Sequence, residues 1–353
     1  MSDDTATRGD LDTHVEEDDL LAEGAAGVEA ATGIGGGALL SSVAEHLYWA
    51  GRYLERAEST VRLVRSHTEL FVDLPRSAGL GWAPLLAVTG TRTVFDDGYD
   101  KVVEDDVVHF LLAERTNQGS VVASIDQARE NLRVTRGMIP QRMWEVLNET
   151  SQWVRSTATA GSARHARVMW TEDVIRRFHT LTGIVAVAMS RDLAYAFLEL
   201  GRLIERADMT TRVLDVQAGI LMGSGSQGLA PFTDLTWGAM LRTLGAEQAY
   251  RRQMGGVVSA RKAVRFLLRD LAFPRSVEHC MLEISRWLLE LPYQEGPRAA
   301  ATTTSMLLDQ ILIDDLDLNG LHEFVDQVQL GLGDLHVQLE AAYFPARPDG
   351  STT

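Results

Sequence analysis

The chain has 353 residues, 45% of them hydrophobic and 23% charged, the balance of an ordinary globular protein with enough length to bury a large core. Its formal net charge is −16, of which residues 1–37 carry −9, ten acids standing against Arg8. A broad basic face for nucleic acid is excluded, and with one cysteine, Cys280, so are an internal disulfide and a thiolate metal cage.

Residues 1–37 are acid-rich, carry no aromatic side chain and end in Gly33-Ile34-Gly35-Gly36-Gly37, which predicts a disordered acidic tail. They lack the basic start and apolar core of a secretory signal. From residue 38 onward, apolar residues recur at spacings of three and four, and strand-like alternation is scarce. Helices are predicted over 41–73, 103–113, 121–137, 141–154, 167–189 and 192–221, then over 236–246, 257–270, 277–291, 302–313 and 321–343. Ser42 with Glu45 reads as a capping box at the start of the first long helix, and Asp192 stands at the equivalent place in the second. Breakers follow each, at 75–81 and 223–228. At ~1.5 Å per residue the first long helix spans roughly 50 Å. The run between Arg177 and Arg191 has 13 uncharged residues, short of the ~18–20 that cross a bilayer. No membrane span is expected, and the chain reads as cytoplasmic. Residues 345–353 read as a flexible tail.

The sequence states one pattern twice. Gly51-Arg52-Tyr53-Leu54-Glu55-Arg56-Ala57-Glu58 and Arg62 return as Gly201-Arg202-Leu203-Ile204-Glu205-Arg206-Ala207-Asp208 and Arg212, at an offset of 150. Trp82 matches Trp237 at an offset of 155, while Phe110 matches Phe266 and Ser120-Val121 matches Ser276-Val277 at 156. The slow drift of the offset is what small loop insertions produce. The expected architecture is an all-α, single helical-bundle body over 38–344. It is built from two pseudo-symmetric repeats, about 39–160 and 190–343, with the long G-R-x-x-E-R helices at its centre.

At about 100° per residue, Leu47, Ala50, Leu54, Ala57, Val61 and Val64 share one stripe, as do Phe197, Leu200, Ile204, Ala207, Thr211 and Leu214. Arg52 and Arg56, like Arg202 and Arg206, project from the other side, with Glu55, Arg62, Glu205 and Arg212 on the flanks. Arginine keeps its charge when desolvated and offers a fixed fork of donors to carboxylate or phosphate. Two arrangements fit this pattern. The arginines and glutamates of the two copies can pair across a pseudo-twofold axis and hold the helices in register. Alternatively, Arg52, Glu55, Arg56, Arg62, Arg202, Glu205, Arg206 and Arg212 can line a cleft for an anionic ligand or a partner.

No catalytic motif is recognisable. Asp96-Asp97-Gly98-Tyr99-Asp100 matches the DDxxD pattern of magnesium-diphosphate enzymes, but no second metal motif follows it, and it reads as a loop with helix-capping aspartates. None of the nine histidines has a glutamate three residues before it, as a di-iron bundle requires. His46 reads as a packed or capping residue. Nucleophile elbows and phosphate loops are also missing. No metal or cofactor is expected.

The segments 40–58 and 197–210, together with Ala128-Arg129-Glu130-Asn131, Trp144-Glu145-Val146-Leu147-Asn148 and Phe273-Pro274-Arg275-Ser276-Val277, resemble the alpha-E family of all-helical bacterial proteins. The resemblance covers about 39–344. Ser42 stands where an arginine is common, Asn117-Gln118-Gly119-Ser120 replaces a usual Asn-Pro-Ser-Ser, and the acidic tail is an addition. The resemblance implies a role beside circularly permuted ATP-grasp ligases and transglutaminase-like proteases, in a system that forms or modifies peptides. On that reading the chain is an accessory partner whose Arg/Glu cleft holds an anionic intermediate or docks the ligase. An acyl- or aminoacyl-transferring enzyme using the same cleft is the alternative, and a purely structural scaffold the second.

Overall fold

The computed structural model describes residues 37–222, 226–313 and 316–344. The tail predicted over 1–37 lies outside them except for Gly37, as does the one predicted over 345–353. Contacts divide the chain into residues 1–42 and residues 43–353. Of the first unit only 37–42 are described, and they form the first turns of helix α1.

Among the described residues the secondary structure is helical, with no strand. Helix α1 (Gly37–Asp73) starts four residues before the expected position. Ala38, Leu39 and Leu40 are strong helix formers and extend it backwards. Ser42 therefore lies inside the helix, and the Ser42–Glu45 pair is not a capping box. Three short helices follow: α2 (Ala83–Thr89), α3 (Arg92–Gly98) and α4 (Glu104–Leu112). Asp96 and Asp97 sit within α3 rather than in a loop, and Arg92 Nε holds Asp96 one turn on at 2.7 Å. Helices α5 (Val121–Val134), α6 (Gln141–Gly161) and α7 (Arg164–Ala188) complete the first half.

Helix α8 (Leu193–Met222), 30 residues against 37 in α1, repeats its charge pattern. Asp192 accepts the Tyr195 N–H at 3.2 Å, as an N-cap should. After a single turn at Ser226–Leu229 come α9 (Thr233–Thr243), α10 (Glu247–Met254), α11 (Ala260–Arg269), α12 (Val277–Leu289), α13 (Glu295–Gln310) and α14 (Leu318–Tyr343). Helix α8 packs against α2, α9, α12 and α14, while α5, α6 and α7 stack in sequence. One continuous apolar core joins α1, α8 and their neighbours, from Leu47 and Leu54 through Leu200 and Ile204 to Leu335.

Glycine lets the two long helices meet. A Cβ on Gly51 would collide with the Leu198 carbonyl oxygen, and one on Gly201 with that of Tyr48. Each glycine thus receives the backbone three residues before the other. Close backbone approach at a helix crossing requires the absence of a side chain. His46 Nδ1 meets Asn131 Oδ1 at 2.8 Å and the Tyr48 hydroxyl meets His336 Nδ1 at 2.8 Å, tying α1 to α5 and α14. His46 is a packed residue.

Candidate functional site at the crossing of the long helices

The glycine contact sets the charged side chains one turn further along face to face. Glu205 on α8 accepts Arg52 Nε at 2.5 Å, Arg56 Nε at 2.6 Å and Arg56 Nη2 at 3.0 Å. Reciprocally, Glu55 on α1 accepts Arg206 Nη2 at 2.6 Å. Both glutamates are 2% exposed, so each is a desolvated anion held by cations from the opposite helix. Burial pushes the Glu55 carboxyl up, but Arg206 and Arg275 more than offset it and hold it far below the usual carboxylate range. Burial also opposes ionisation of Glu205, and Arg52 and Arg56 pull it down in the same way.

The structure therefore brings together Arg52, Arg56 and Glu205, and separately Arg206 and Glu55. Arg202 hydrogen-bonds Glu199 one turn back, at 2.6 Å, and acts on Glu55 only through its charge. Arg62 and Arg212 form a second matched layer. Arg62 Nε holds Glu58 at 2.8 Å, and Arg212 Nε holds Asp208 at 2.8 Å. Each arginine head lies over a glycine that ends a short helix, Arg212 beside Gly90 and Arg62 beside Gly245. Both glycines are left-handed, with φ of 65° and 63°, and cap α2 and α9 with like hydrogen bonds, Thr91 to Leu86 and Ala246 to Leu241.

Arg275 completes the cluster, although the repeated motif gives no hint of it. It reaches from the turn before α12 and bridges Glu55 through Nη1 and Glu58 through Nη2, the latter at 3.0 Å. Its carbonyl accepts the Thr210 hydroxyl at 2.9 Å. The signal available in the sequence was the Phe273-Pro274-Arg275-Ser276-Val277 segment, whose arginine has no counterpart at Gly119. Arg167, fully buried on α7, is a second unforeseen charge; it donates to Glu104 at 2.8 Å and to the Ser162 carbonyl.

The arrangement offers binding groups, and the lone thiol is not among its reactive ones. Cys280 is fully buried on α12, burial pushes its thiol up to about 12, and its Sγ lies 3.6 Å from the Pro274 carbonyl. A thiol held so far from ionisation is inert at neutral pH. Asp215, His322 and Asp326 place ligand atoms within 4.8 Å of one another, but His322 Nδ1 is already engaged by Asp215. Two cavities flank the crossing. One of about 370 Å³ is bordered by Arg56, Thr60, Gly119, Asp208 and Arg212. The other, of about 330 Å³, is bordered by Arg62, Arg65, Glu172, His179 and Gly245. Of the arginines expected to line a cleft, Arg56, Arg62 and Arg212 border these cavities and Arg202 borders a smaller one with Glu55 and Glu58.

The chain is 25% identical over 286 residues to an uncharacterized protein of Mycobacterium bovis, which covers 76% of this chain and 32% of the relative. Uncharacterized proteins of two Mycobacterium tuberculosis strains match over the same length at 25% and 24% identity. The chain thus spans about a third of the length of the curated relatives it matches. No solved structure matches it significantly. Residues 39–344 match the family described as "a predicted alpha-helical domain with a conserved ER motif", and Glu-Arg pairs stand in the matched region at Glu55-Arg56, Glu114-Arg115 and Glu205-Arg206: the chain belongs to the Alpha-E family.

Proposed function

We propose that this chain is a helical accessory partner of an ATP-grasp peptide ligase, in a system that makes or modifies a peptide, and that it binds rather than catalyses. The reading also takes the two halves as pseudo-symmetric copies of one unit. The reciprocal Gly51 and Gly201 contacts and the crossed Glu205 and Glu55 pairs support that duplication. The observation that carries the functional reading is the buried ion cluster itself. It consumes Arg52 and Arg206 in holding two helices together and leaves Arg56, Arg62 and Arg212 at cavity walls, where a ligand or partner can reach them. The matched segment makes up 32% of its longer relatives, as expected of a module that works beside other domains. The inert Cys280 gives the acyl-transfer alternative no nucleophile from that residue.

The test is affinity capture of the tagged full chain from its native cell, with the recovered proteins identified. An ATP-grasp ligase recovered in near-equal amount supports the reading. Recovery of no ATP-grasp protein, with the chain intact and folded, overturns it.

A further inference from the structure

The two flanks of the crossing are built alike but filled differently. On one flank the turn before α12 places Arg275 between Glu55 and Glu58. On the other, the turn before α5 has the same hydrogen bonds: Ser120 N–H to Asn117 O at 2.9 Å, matching Ser276 N–H to Phe273 O at 3.0 Å. Ser120 and Ser276 each cap the following helix, accepting an N–H at 3.1 Å. At the place of Arg275, however, stands Gly119, and there the cavity of about 370 Å³ opens.

Thr60 gives a second, independent sign. Its counterpart Thr210 donates its hydroxyl to the Arg275 carbonyl, whereas Thr60, 1% exposed, borders the cavity that stands in that carbonyl's place.

Charge decides what the cavity takes. Glu205 is bound by Arg52 and Arg56, and Asp208 by Arg212, so three arginines face two carboxylates and one positive charge remains. A guanidinium ligand imitating Arg275 would raise that excess, whereas an anion cancels it. Arg56 Nη1 and both terminal nitrogens of Arg212 have no hydrogen-bond partner among the described residues. The wall at 117–120 also adjoins the N-terminal end of the 14-residue α5, whose dipole favours negative charge. We propose that this cavity binds an anionic group, a carboxylate or a phosphate, through Arg56, Arg212 and the Thr60 hydroxyl, and that Arg275 plugs the matching place on the other flank. The inference rests on the binding half of the function proposed above and gives it a location.

The experiment titrates the full chain with inorganic phosphate and, separately, with acetate, at ionic strength held constant by chloride, using calorimetry and the shift in Tm. Saturable binding of at least one probe is expected, and the probe that binds names the group. Arg212→Gln should weaken it about tenfold or more, the worth of one charge-assisted contact. Gly119→Arg should fill the cavity and add to its positive excess, abolishing binding at some cost in Tm, with circular dichroism confirming that the variant is folded. Arg142→Gln, an exposed charge on α6, serves as control and should change nothing. No saturable binding of either probe overturns the proposal, as does binding that both cavity variants leave undiminished. Because the titration uses the chain alone, intact anion binding with failed ligase capture would sink only the partner reading. Failed titration with intact capture would sink only this one.

Discussion

At the level of single residues, the motif glycines and the buried ion pairs make opposite demands on substitution. Alanine inside a helix normally improves on glycine by about 1 kcal/mol. At Gly51 and Gly201 the sign reverses, because the added Cβ must push two backbones apart. Gly51→Ala is expected to destabilise by about 3 kcal/mol or more, at or above the upper range of core overpacking, as read from urea unfolding. Among the arginines, Arg206→Ala leaves the buried Glu55 with Arg275 as its remaining hydrogen-bonded arginine and should cost about 3–5 kcal/mol. Arg56→Ala should cost less than Arg206→Ala, since Arg56 is 29% exposed against 12% for Arg206 and its loss opens Glu205 to water more readily. Equal losses in the two variants would show that the network does not divide as these exposures indicate. The charged motif was legible in the sequence because polar residues recurred at identical spacing. Arg275 was not, because it arrives from a turn 220 positions away from Glu55, and a repeat search sees only what both copies keep.

At the level of elements, long helices announced themselves and short ones did not. Helices α2 and α3 have seven residues and α10 eight, about two turns each, too few for a 3.6-residue period to register. Helix α13 starts at Glu295, well before the expected 302, because Gly296 and Pro297 read as breakers. Proline in a first turn lacks only an N–H that would be unsatisfied anyway. The capping serines were legible as a matched pair, and the structure gives them unequal work. Ser120 caps α5, while Ser276 caps α12 and also donates its hydroxyl to the Asp270 carbonyl. Ser120→Ala should cost about 1 kcal/mol. Ser276→Ala should cost about one further hydrogen bond, again about 1 kcal/mol. Chemical denaturation of the two variants side by side checks the ordering.

At the level of the whole molecule, the buried charges make stability a function of pH in two separable windows. Glu55, Glu58 and Glu205 are all held below the usual carboxylate range; burial opposes this in each case, and the arginines prevail. A carboxyl whose pKa is lower folded than unfolded stabilises the protein above its unfolded value of about 4.3. That contribution is lost as pH falls from there toward the folded values. His67 acts at higher pH. Burial lowers its pKa to about 4, while its Nε2 lies 2.9 Å from the Gly81 carbonyl. The folded protein keeps this ring neutral while the unfolded chain takes up a proton near pH 6.5. Its contribution is therefore full above about 6.5 and drains away as pH falls toward 4, before the glutamate window opens fully. A drop of about two and a half pH units corresponds to roughly 3 kcal/mol. Melting temperature should accordingly fall between pH 7 and 5 in the wild-type chain. In His67→Gln, which keeps a donor for Gly81 but cannot titrate, that part of the curve should flatten, while the steep loss below pH 4 persists. A wild-type curve that is level from pH 7 to 5 would mean that His67 is not held neutral by the fold. A variant that also loses the acid limb would mean that the buried glutamates do not set it.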